Sequence, residues 1–150
     1  MKKYITLILF IVGVLLIGGL MGSLFTPGLW YEGLQKPSFT PPNWLFAPVW
    51  IVLYVMIAIA GWRTFILHHN VKVRVLWCVQ MVFNFIWMPI FFGAQLPVLA
   101  MIVMVALVVV VFLFIVKAID SDKISSLLFM PYLVWIIIAS YLNAGVILLN

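Results

Sequence analysis

Five stretches of this sequence are each long and apolar enough to cross a lipid bilayer, and no other feature constrains the fold so strongly. A spanning helix needs about 20 mostly apolar residues, and residues 4–25, 43–67, 75–95, 98–116 and 124–149 each supply such a run. In hydrocarbon the backbone has no water to bond, so each run must satisfy its own N–H and C=O groups as a helix. This applies even to the valine run from Val108 to Val111, which propensity alone would read as a strand. The expected fold is all-α, an integral membrane bundle of five transmembrane helices forming one domain over residues 1–150.

Composition agrees. Hydrophobic residues make up 68% of the chain and charged residues 7%, against about 45–50% and 25% in soluble domains. Eleven charged side chains cannot cover a soluble surface, which excludes a soluble globular domain and a disordered chain. One cysteine, Cys78, excludes a disulfide scaffold. The net charge of +5 suggests an anionic partner such as nucleic acid. Its distribution argues instead for orientation, because Lys2, Lys3, Arg63, Lys72, Arg74, Lys117 and Lys123 fall on the side of the N-terminus and only Lys36 on the other. That bias places the N-terminus in the cytoplasm and the first loop outside.

The breaks between the runs are legible. Residues 26–42 carry four prolines and two glycines and read as a structured loop, whereas the later connections are short, so consecutive helices should be antiparallel neighbours. The first run, with Lys2 and Lys3 ahead of it and Gly18, Gly19, Gly22 and Ser23 near its end, imitates a secretory signal. Its apolar length marks it as the first span.

Within a membrane, small, polar and aromatic residues carry the information. Trp77, Gln80, Asn84, Trp87 and Phe91 recur every three or four residues and share one helical face. Tyr132, Trp135, Ala139, Leu142 and Asn143 form a second stripe, and Ala47, Trp50, Tyr54, Ala58 and Gly61 a third. At about 1.5 Å per residue, Trp50, Trp87 and Ala139 lie roughly 10, 12 and 15 Å below the face that carries the long loop. An aromatic-walled cavity with a few polar groups (Tyr54, Gln80, Asn84, Asn143) is the usual make-up of a small-molecule site, and the loop would be its lid. Trp30, Trp44, Trp62 and Trp77 suit an interfacial belt, and Cys78 a small buried apolar position. Pro89 and Pro131 interrupt the third and fifth helices. Gly18-x-x-x-Gly22 is a pattern of close helix approach.

Three carboxylates, Glu32, Asp120 and Asp122, all lie outside the spans, so no intramembrane acid–base pair or proton relay can be built. His68 and His69 sit at the cytoplasmic end and read as a polar terminus. No metal site and no axial haem ligand is expected in the cavity, so a flat ligand would be held by stacking and shape.

The segment Trp30-Tyr-Glu-Gly-Leu-Gln-Lys-Pro-Ser-Phe-Thr-Pro-Pro-Asn-Trp44, with Pro48-Val-Trp50 and Leu53-Tyr54, resembles the first loop and second helix of the TspO/translocator protein family, which includes the tryptophan-rich sensory proteins and peripheral-type benzodiazepine receptors. Asn84-x-x-Trp87-x-Pro89-Ile-Phe-Phe-Gly93, Pro131-Tyr-Leu-x-Trp135 and Leu142-Asn143 match its third and fifth helices. The resemblance implies a bundle of five helices, usually a homodimer, that binds porphyrins and benzodiazepine-type ligands and acts in tetrapyrrole transport or light-dependent porphyrin breakdown. Carried over by position, Trp50, Asn84, Trp87, Trp135, Ala139 and Leu142 look like cavity residues. They overlap the set reached from depth and spacing, to which Tyr54 belongs. Trp30, Pro41, Pro42 and Trp44 fall to the lid.

The cholesterol-recognition pattern of animal members is absent, since no basic residue follows Lys123, and a bacterial plasma membrane is the expected setting. Two functions compete. One is a porphyrin-binding protein that promotes photo-oxidative degradation, with Trp50 and Trp135 as the electron-rich neighbours of the excited ligand and no intrinsic cofactor. The other is a receptor or carrier that moves tetrapyrroles unchanged.

Overall fold

The computed structural model describes residues 2–68 and 70–150, and all of their regular structure is helical. The helices are α1 (Lys2–Leu24), the short α2 (Leu29–Gly33), α3 (Asn43–Trp62), α4 (Val71–Met88), α5 (Pro97–Ala118) and α6 (Lys123–Leu149). Wider π-type turns extend α3 through Arg63–His68 and α4 through Pro89–Gly93. All but α2 are long and apolar enough to span. His69 lies outside the described residues.

The main departure from the expected spans is at α4, which begins at Val71 rather than at residue 75. Asn70 caps it, its Oδ1 accepting from the backbone N–H of Lys72 at 3.1 Å and Val73 at 3.4 Å. Arg74, taken as part of a polar turn, is therefore helical. It donates back to the carbonyls of Thr64 (3.4 Å) and Phe65 (3.1 Å) in the turn that extends α3. The loop also departs from expectation, because α2 forms inside it and Trp44, expected in the lid, is instead in the first turn of α3 and 71% exposed.

Around the bundle, α1 packs on α3, α3 on α6, α6 on α5 and α5 on α4. The helices α3 and α4, expected as antiparallel neighbours across a short connection, meet through side chains. Among the described residues their backbones approach little away from the shared turn, and long side chains fill the space between them. Where backbones do need room, glycine supplies it. Gly18 of α1 lies under the ring of Tyr54, and Gly61 of α3 under the indole of Trp77, with no space for a Cβ at either. Gly22 faces open space, so the two glycines of the small-xxx-small pattern do different things. Trp77 is thus a packing residue and not a belt residue, with its Nε1 donating to the carbonyl of Ile57 at 2.9 Å. Cys78, expected to be buried, is on the exposed face of α4, which lipid covers in a membrane. The α5–α6 seam is the most compact, with Phe114 and Phe129 stacked at 3.9 Å and Ser126 donating to the carbonyl of Ile115 at 2.9 Å.

At the end opposite the long loop, Arg63 grips Asp122 through Nε (2.9 Å) and Nη2 (2.8 Å), and Ser125 donates to the same carboxylate at 2.5 Å. His68 Nε2 stands 3.4 Å from it. Burial alone would raise the Asp122 carboxyl. The hydrogen bonds from Arg63 and Ser125 and the charge of Arg63 outweigh that and hold it below the ordinary carboxylate range. This group ties the end of α3 to the start of α6 and fixes the floor of the bundle.

Candidate ligand site

Three helices bring their inner stripes together at mid-span. Tyr54 of α3 donates from Oη to Asn84 Oδ1 of α4 at 3.1 Å. Asn84 Nδ2 donates to Tyr132 Oη of α6 at 2.8 Å, and Tyr132 donates onward to Gln80 Oε1 at 3.1 Å. All four side chains are buried. Polar groups at this depth are costly unless bonded to one another, so the chain Tyr54–Asn84–Tyr132–Gln80 fixes the rotation of α3, α4 and α6 about their axes.

Aromatic rings cover this polar floor. The indole of Trp50 lies 5.2 Å from the ring of Tyr54, tilted by 31°, and 6.3 Å from that of Tyr132, nearly edge-on. Trp135 sits one helical turn beyond Tyr132, meeting Phe46 edge-on at 5.6 Å. Nearer the loop, Trp87 stacks on Phe91 at 4.9 Å, and Phe91 in turn meets Trp30 at 5.7 Å and Tyr31 at 6.2 Å. The lid is thereby tied to the top of α4 through Trp30.

Of the residues expected at the site, Trp50, Tyr54, Asn84 and Trp135 surround the network, and Trp87 joins the upper cluster. Ala139 is half-buried and Leu142 buried farther along α6. Pro41 and Pro42 lead into α3, with Pro42 at its N-cap. Asn143 is turned away from the site. With its amide oriented to satisfy both ends, it donates to the carbonyl of Pro97 at 3.2 Å and accepts from the N–H of Met101 at 2.9 Å. It clamps α6 to α5 and is not a ligand group. Ala47, on the expected α3 stripe, is exposed. Sequence reasoning placed Tyr132 on the right stripe without giving it a role, although it is fully buried and joins Asn84 to Gln80. The signal was its position three residues before Trp135. Phe46 carried none.

Hydrogen bonding in the cluster is unbalanced. The indole N–H groups of Trp87 and Trp135 and the amide nitrogen of Gln80 are buried without acceptors. An orphaned buried donor costs about 1–3 kcal/mol.

Comparison with known proteins adds a family pattern to this geometry. Residues 10–149 match the family model described as TspO/MBR family. Protein CrtK of Rhodobacter capsulatus is 40% identical, covering 88% of this chain and 85% of that protein. The tryptophan-rich protein TspO of Archaeoglobus fulgidus is 41% identical (88% and 89% covered), and that of Chlorobaculum tepidum 37% identical (100% and 99%).

Proposed function

This chain belongs to the TspO/MBR family and is a multi-pass membrane protein, and from that premise we propose that it binds porphyrin-type tetrapyrroles in the aromatic cluster beneath its loop and promotes their light-dependent oxidation. The observation that carries this reading is the set of buried donors without acceptors, Trp87, Trp135 and Gln80, set among ring faces. A porphyrin offers a broad π-face to the rings and carboxylate oxygens to the N–H groups. Benzodiazepine-site ligands, which pair fused rings with a carbonyl, suit the same set.

On illumination the bound ring is the light absorber and dioxygen the oxidant. The protein orients the ring, excludes water, and holds Trp50 and Trp135 as nearby oxidisable indoles. To test this, free-base protoporphyrin is titrated into the purified protein in darkness and then under light, with products analysed. Phenylalanine keeps a π-face but is far harder to oxidise than indole, and an aromatic contact is worth about 0.5–1.5 kcal/mol beyond burial. Trp50→Phe and Trp135→Phe should therefore bind porphyrin within about tenfold of wild type yet lose most product per bound porphyrin. Ala139→Phe should reduce binding and product together. Unchanged yield in the double tryptophan variant would leave a binder or carrier.

The charge bias supports a loop outside and an N-terminus in the cytoplasm, and the missing cholesterol-recognition pattern supports a bacterial plasma membrane. In a Cys78→Ala background, Ser38→Cys should react with an impermeant thiol reagent on intact cells and Ser121→Cys should not. The reverse pattern would invert the topology.

A further inference from the structure

Resting on that ligand site, we propose that its apolar ligand arrives sideways from the bilayer, through a groove between α3 and α6 in which Trp135 is the inner wall. The groove has a volume of about 380 Å³ and is lined by Pro48, Val49, Val52, Leu53, Met56, Pro131, Val134 and Trp135, every one apolar but for the indole N–H. Its α3 wall runs from 5 to 13 residues below the loop end of that helix, roughly 8–20 Å deep, so the groove opens to hydrocarbon and not to water.

Three further observations give it an occupant. First, both walls contain a proline, Pro48 in α3 and Pro131 in α6. Each proline removes a main-chain hydrogen bond from its own helix, which makes both walls of the groove more compliant. Second, the groove is continuous with the ligand site through one residue. Trp135 is 9% exposed, its N–H has no acceptor, and it stands one turn from Tyr132 in the polar floor. A change of its rotamer would extend the groove toward the Tyr132 end of the network.

Third, several contacts tie the loop down over the site, beside a smaller cavity of about 240 Å³ between Trp30 and Asn150. The Asn150 side chain pairs with the backbone of Gln35 in both directions, accepting from its N–H at 3.0 Å and donating to its carbonyl at 3.1 Å. Pro37 is seated on Gly145, where an added Cβ would come within 2.5 Å of its ring. Trp30 and Tyr31 rest on Phe91. A flat molecule poorly soluble in water partitions into hydrocarbon and meets the groove there.

The experiment uses protoporphyrin and the whole protein in phosphatidylcholine nanodiscs, with binding followed in the dark by tryptophan fluorescence after rapid mixing. Val52→Trp and Val134→Trp together narrow the groove mouth from side chains that already face lipid. They should slow association and dissociation alike, by about tenfold, with affinity within about twofold of wild type. Asn150→Ala, which releases the loop, should leave both rates within about twofold. Unchanged rates in the groove variant, or faster rates in Asn150→Ala alone, would overturn the lateral route.

A second arm does not depend on porphyrin. A phosphatidylcholine carrying a diazirine in mid-chain should label Met56, Val134 or Trp135 in wild type and lose that label in the groove variant. Labelling without porphyrin binding would sink the ligand site and leave the groove as a hydrocarbon site. Absence of label from all three residues would sink the groove itself.

Discussion

Gly61→Leu should leave little correctly folded protein in the membrane, whereas Gly22→Leu should be close to silent. Gly61 is buried beneath the indole of Trp77, and even a Cβ there would force the ring aside. Overpacking of this kind costs about 1–3 kcal/mol. Displacing Trp77 also breaks its 2.9 Å hydrogen bond to the carbonyl of Ile57 and strands a buried N–H, for about 1–3 kcal/mol more. The sum is a large share of the roughly 5–15 kcal/mol that separates folded from unfolded protein. Gly22 faces open space, and leucine there gains helix propensity. Thermal unfolding of both variants in one detergent checks the contrast, and equal midpoints would mean that the Trp77 indole is not seated on Gly61 as described.

Asn84→Leu should have the largest effect on ligand binding, at least tenfold in affinity, while Tyr54→Phe should cost only a few-fold. Asn84 is bonded to both Tyr54 and Tyr132, so its loss breaks the polar link between α3 and α6 at mid-span and leaves the Tyr54 hydroxyl without its acceptor. Tyr54→Phe removes one donor and leaves the Asn84–Tyr132–Gln80 part intact. Porphyrin titration of the two variants in nanodiscs separates them. Equal losses would show that the hydroxyl of Tyr54 matters for the ligand itself and not through the network.

The five spans, their order and the three stripes were legible because hydrocarbon leaves a chain few options, and because helical spacing alone decides which residues share a face. What was not legible depended on neighbours. Asn70 caps α4 from within what reads as a polar turn, so four residues of helix preceded the first uninterrupted apolar run. The π-type turns at Arg63–His68 and Pro89–Gly93 have no spacing signature of their own. Asn143 lies on the same stripe as Trp135, yet the close start of α5 draws it toward Pro97 and Met101. Cys78 and Trp77 are adjacent in sequence and differ only in which side of α4 has a partner. In a membrane both sides are apolar, so composition cannot tell lipid from protein.

The position of α6 bears on how the chain assembles during synthesis. It leaves the ribosome after the four spans described before it, and it completes several of their polar contacts. Arg63 donates to Asp122 just ahead of it, Ser125 donates to the carbonyl of Ala60, and Tyr132 accepts from Asn84. Until residues 123–149 insert, α3 and α4 are joined by the bonds from Tyr54 to Asn84 and from Trp77 to the carbonyl of Ile57, and Gln80 and the amide nitrogen of Asn84 lack the partner that Tyr132 supplies. A nascent chain stalled before Lys123 is therefore an under-bonded four-span intermediate, the form most open to membrane quality control. Insertion of α6 ends that exposure in one step, closing the mid-membrane network and the Arg63–Asp122 tie together.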